Sequence, residues 1–78
     1  MKNLRYNIVL QPEPEGGFTV IVPSLPGCVT YGKDLAEARL MAEDAIECYV
    51  GSMRDDGEEP ESDVDRIFAD SVEISVTA

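Results

Sequence analysis

The chain has 78 residues, with 16 acidic and 6 basic side chains, no histidine and a net charge of −10. Such a length holds one domain with a marginal core, so an extra source of stability such as self-association is expected. The acidity repels nucleic-acid phosphates, and no window approaches the roughly 20 apolar residues of a membrane span.

Leu4, Tyr6, Ile8 and Leu10 alternate with polar residues or valine, a period-2 pattern that predicts a first strand ending at Gln11. PEPEGG follows as a loop, because Pro12 and Pro14 cannot donate to a ladder and Gly16–Gly17 can take positive φ. Phe18, Val20 and Val22 alternate as a second strand, antiparallel to the first, and Pro23 ends it. The connector SLPGC is a rigid turn, and its Leu25 has two open readings, a plug for the core or a preformed surface for a partner. Cys28–Tyr31 is a short third strand closed by Gly32.

Asp34 has the character of an N-cap, and Glu37 three residues on completes a capping box. Leu35, Ala38, Ala42, Ala45, Ile46, Tyr49 and Met53 then recur at spacings of three and four, which predicts one amphipathic helix to about Arg54 with a stop at Gly57. Residues 55–70 are acidic and read as a solvated connector, with one helical turn around Val64, Ile67 and Phe68. Val72, Ile74 and Val76 alternate as a last strand that returns to the sheet by a crossover, right-handed where it joins parallel strands.

The predicted fold is therefore α+β in the order β-β-β-α-β, a small sheet with one face under a single long helix. One helix cannot cover both faces, so Val9, Ile21 and Val29 should point from the uncovered one, which invites a partner or a second copy.

The charge is divided along the chain. Lys2, Arg5 and Lys33 against Glu13 and Glu15 leave residues 1–33 at +1, whereas three arginines against fourteen acids leave residues 34–78 at −11. This field suits a basic partner, although acidic surfaces also serve solubility. Cys28 and Cys48 lack CxxC spacing and are expected to be reduced, small and partly buried. No metal or cofactor is expected, and the first residues do not have the form of a secretory signal.

The run GGFTVIVPSLPGCVTYGKDLAEARLMAEDAIECYV resembles the N-terminal domain of the HicB-like antitoxin family, over about residues 6–57. The LPGC-x-T-x-G core carries the likeness. The resemblance implies a partial ribonuclease-H-like fold, homodimers or larger oligomers, and binding to a small basic toxin that cleaves mRNA. It also implies that the antitoxin acts by covering the toxin's active surface. Many members append a DNA-binding domain; here residues 1–78 are expected to form one domain without it, in the cytoplasm.

A ribonuclease-H-like fold raises the question of nuclease activity. Two-metal chemistry needs carboxylates converging from several elements. RYNIVLQ has none, and Glu37, Glu43, Asp44 and Glu47 all belong to one helix, so no catalytic residue is expected. The expected partner-binding residues are Leu25, Tyr31, Glu43, Asp44 and Glu47. The rival to an antitoxin is a stand-alone homo-oligomeric structural or regulatory module that uses its open sheet face.

Overall fold

A computed structural model of the chain describes residues 4–62 and 70–77. Three strands, β1 (Val9–Pro12), β2 (Phe18–Ile21) and β3 (Val29–Gly32), precede one helix, α1 (Leu35–Asp55). The sheet is antiparallel in the order β1-β2-β3. This is the expected α+β arrangement, with the helix on one face.

The first hairpin is closed by Glu13, whose N–H donates to the Gly17 carbonyl at 3.0 Å and whose carboxylate accepts from Thr19 Oγ1 at 2.7 Å. Gly16 and Gly17 both have positive φ there. The first strand is shifted from the expected one: it begins at Val9 and includes Pro12. The hairpin register explains both changes. Val9 pairs with Ile21, so residues 8 and 7 would face Val22 and Pro23. The Val22 N–H is already bonded to the Cys28 carbonyl, and Pro23 has no N–H. Pro12 is tolerated because β1 is an edge strand. Residues 4–8 still alternate half-buried and exposed, with Leu4, Tyr6 and Ile8 inward.

The SLPGC connector is a pair of linked turns. The Leu25 N–H donates to the Val22 carbonyl at 3.0 Å, and the Cys28 N–H donates to the Leu25 carbonyl at 2.9 Å. Gly27 takes φ +82°, and Tyr49 Oη of the helix donates to the Pro26 carbonyl at 2.9 Å. The connector is thereby tied to α1 and sets the direction in which β3 leaves. The third strand starts at Val29, one residue later than expected, because the Cys28 backbone closes the turn.

Asp34 caps α1: its Oδ1 accepts from the Glu37 N–H at 2.8 Å. The return bond of the capping box goes to the Lys33 N–H, at 2.9 Å from Glu37 Oε1. At the other end Gly57 has φ +81°, the Glu58 N–H donates to the Met53 carbonyl and the Gly57 N–H to the Arg54 carbonyl, a Schellman ending. A Cβ on Gly32 would overlap the backbone of Ala38, so glycine is what lets the end of β3 lie against the first turns of the helix.

Two adjoining clusters form the core. Val20 packs with Ala38 and Ala42, and Val22 packs with Leu25 and Cys28 under Ile46, Tyr49 and Met53. The alanines bring the helix close to the sheet. Leu35, expected on the buried stripe, is half-exposed at the helix start.

Two expectations about the C-terminal third need correction. The connector, expected to be mostly solvated, is anchored already before residue 63: Pro60 is buried, and Ser62 Oγ accepts from the Arg5 N–H and donates to the Arg5 carbonyl, each at 2.7 Å. The last strand does not join the sheet. Val72, Ile74 and Val76 are 87%, 74% and 82% exposed and belong to no ladder. Period-2 alternation supplies a strand's pattern, but a ladder exists only where an edge is met. The helical turn expected around Val64, Ile67 and Phe68 lies outside the described residues.

Candidate partner-binding surface

The layers leave two surfaces facing opposite ways: the outer side of α1 and the uncovered side of the sheet. Helix geometry assigns the first. Leu40, Glu43, Asp44 and Glu47 fall within about 100° of arc on the side away from Ala38 and Ala42. All four are exposed, and Leu40 is 61% accessible. An exposed leucine thus sits among three carboxylates at offsets of three, four and seven residues. Sequence reading had singled out the three acids and passed over Leu40. Its signal was its phase, since it falls opposite the apolar stripe that starts at Ala38.

The sheet's uncovered side carries a different surface. Val9, Ile21 and Val29 are aligned across the three strands by the register. Val9 and Val29 are about half-exposed, as expected of this face. The next row holds Gln11, Thr19 and Tyr31. Tyr31 Oη donates to the Gly16 carbonyl at 2.9 Å, and the ring covers Gly17 where a Cβ would collide with it. Tyr31 therefore braces the first hairpin while keeping half of its surface in solvent.

The five sequence-derived site residues consequently separate. Glu43, Asp44 and Glu47 share the helix surface. Tyr31 stands on the opposite side of the molecule. Leu25 is 4% exposed and forms part of the core, where its side chain offers a partner almost no area.

The cysteines are free thiols in unlike settings. Cys28 is buried, whereas Cys48 is exposed, a correction to the partly buried position expected for it. Position 48 lies one residue beyond the edge of the buried stripe. Burial pushes the Cys28 thiol up, and the nearby Cys48 thiol adds to the shift. A raised folded-state value favours the neutral thiol, so its stabilising effect holds below the unfolded pKa and is lost as pH rises through the folded one. Iodoacetamide at pH 8 should accordingly label Cys48 alone, with Cys28 reacting only after denaturant is added; intact-mass spectrometry counts the adducts. Equal labelling of both in the folded protein would contradict the burial of Cys28.

Among the described residues no three His, Cys, Asp or Glu side chains come together as a metal site, and no helix is long and apolar enough to cross a membrane.

Comparison with known proteins adds the family context. The profile of the family described as HicB_like antitoxin of bacterial toxin-antitoxin system matches residues 6–73. The chain is 35% identical over 51 residues to a UPF0150 protein of Thermoplasma acidophilum, covering 65% of this chain and 74% of that one. It is 44% identical over 46 residues to Antitoxin HicB 1 of Photorhabdus laumondii, covering 59% of this chain and 30% of the relative. Antitoxin HicB of Escherichia coli K12 is 42% identical over 43 residues, which cover 55% of this chain and 31% of that protein. The similarity to these two antitoxins thus spans less than a third of their length.

Proposed function

The chain belongs to the HicB-like antitoxin family of bacterial toxin–antitoxin systems, and from that premise we propose that it is a non-enzymatic antitoxin that binds a small basic mRNA-cleaving toxin in the cytoplasm and covers its active surface. The observation that carries this reading is the outer face of α1, where Leu40 is framed by Glu43, Asp44 and Glu47. A toxin surface built to hold RNA phosphates is cationic. Carboxylates steer it in and compete with RNA for it, and an apolar anchor at the centre of the patch slows release. Leu25 takes no direct part in this reading; it holds the connector that sets the helix against the sheet.

The test is affinity capture of the tagged chain from its native host at native expression level, followed by RNA cleavage assays. The expected result is a small basic protein retained in stoichiometric amount, whose cleavage of RNA stops at equimolar antitoxin. The complex should weaken with salt yet persist at high salt. Recovery of the tagged chain alone, or a retained protein whose cleavage of RNA the chain leaves unaffected, would overturn the reading.

The aligned row Val9–Ile21–Val29 supports self-association as a second element of the reading, with Tyr31 beside it. It also supports the rival function, a stand-alone homo-oligomeric module without a toxin. The capture experiment separates the two, because only the first retains a basic partner.

A further inference from the structure

Cys28 and Cys48 line one open groove of about 330 Å³ between the start of β3 and the flank of α1. None of the residues lining it is charged. We propose that the two thiols are an oxidisable pair: hydrogen peroxide reacts at exposed Cys48, and buried Cys28 resolves the product to a disulfide within the chain.

Several contacts hold the pair together. Tyr49 Oη donates to the Pro26 carbonyl at 2.9 Å, which pins the helix beside Cys48 to the connector just before Cys28. Ala45 packs against the cluster of Val22, Leu25 and Cys28, and Cys48 is its neighbour three residues along the helix. The Cys48 thiol is also close enough to add to the upward push on Cys28. Exposure divides the roles. Cys28 is 6% exposed and its backbone is bonded to Val22 and Leu25, whereas Cys48 stands in solvent. A dissolved oxidant thus meets Cys48 first.

The chemistry balances with one peroxide. The Cys48 thiolate attacks a peroxide oxygen; an S–O bond forms, the O–O bond breaks, and hydroxide leaves to become water. The sulfur is oxidised to a sulfenic acid and the peroxide is reduced. Cys28 then gives up its proton and attacks the Cys48 sulfur. The S–S bond forms, the S–O bond breaks, and the departing hydroxide takes the proton as a second water. The product ties the connector to the helix and closes the chain from residue 28 to residue 48, which restricts the unfolded state. In a reducing compartment such a bond is transient, formed under peroxide and reversed by thiols. The proposal goes beyond the antitoxin reading and stands whether or not the partner is a toxin.

The test uses the whole reduced chain, treated in its folded state with millimolar hydrogen peroxide, then denatured and quenched with iodoacetamide. The expected product is a single chain about 2 Da lighter than the reduced one, carrying no adduct. Digestion without reductant should give one peptide pair joined through positions 28 and 48. The midpoint of thermal unfolding should rise by about 5 °C or more and return when dithiothreitol is added. The surface variant Cys48→Ser should keep its Cys28 thiol about tenfold longer under the same peroxide. Cys28→Ser should stop at a Cys48 sulfenic acid, which dimedone traps. Two chains joined through Cys48, or Cys48 carried on to a sulfinic acid while Cys28 stays a thiol, would overturn the pairing. So would a bond between positions 28 and 48 that forms only in denaturant.

Discussion

Leu25→Ala is expected to lower the free energy of unfolding by about 2–5 kcal/mol, the range for removing a well-packed leucine from a core. Leu25 is 4% exposed and packs in the cluster with Val22 and Cys28, beneath Ile46, Tyr49 and Met53. Its backbone N–H and carbonyl bonds to Val22 and Cys28 survive the substitution, so the loss comes from the side chain. A domain of this size has roughly 5 kcal/mol or little more to lose, and the midpoint of thermal unfolding should fall by about 10 °C or more. Urea unfolding followed by circular dichroism measures the change. Where the variant remains folded, its affinity for the captured toxin should stay within about threefold of the original, as surface contacts are not involved. Unchanged stability with lost affinity would instead make Leu25 an exposed anchor, contrary to its burial.

Leu40→Asp should behave in the opposite way. The side chain is 61% exposed on the outer face of α1, so stability should change by no more than about 0.5–1 kcal/mol, mostly through aspartate's poorer helix propensity. Toxin affinity should fall about 30-fold or more, the effect of about 2 kcal/mol at a central anchor. The direction is informative because the substitution adds a negative charge. If attraction between net charges alone held the complex, Leu40→Asp would tighten it. The companion variant Glu43→Gln/Asp44→Asn/Glu47→Gln leaves Leu40 in place and removes three charges. It should slow association about tenfold at low salt and flatten the salt dependence. Calorimetry for affinity and stopped-flow mixing for association separate the anchor from the steering charges. A Leu40→Asp chain that binds as tightly as the original would refute the helix face as the toxin surface.

The two variants also mark where sequence reading and structure part. Leu25 and Leu40 are the same residue type, and composition cannot tell them apart. Phase can: Leu40 lies opposite the Ala38–Ala42–Ala45 stripe, so its exposure was legible, though only the acids around it were singled out. The burial of Leu25 was half-legible. The prolines and Gly27 announced a turn, but the depth of its leucine depended on Tyr49 reaching Pro26 from another element.

What the sequence determined by itself is local. Asp34 and Glu37 start the helix and Gly57 ends it, because capping groups act within a few residues of the N–H and C=O groups they satisfy. Two glycines turn the first hairpin, whereas the second strand ends at Ile21, short of the Val22–Pro23 end expected of it. Alternation alone placed Val9, Ile21 and Val29 on the uncovered face. The tertiary structure decided what depends on a partner being in place. The register taken up at Glu13–Gly17 leaves residues 8 and 7 facing a bonded valine and a proline, and so ends the ladder at Val9. Helix packing puts Tyr31 and the acidic face on opposite sides, so they form no single site. The pattern VEISV carries strand propensity in any context, yet it is a strand only where a free edge lies within reach. That edge is a property of the folded sheet and not of the segment.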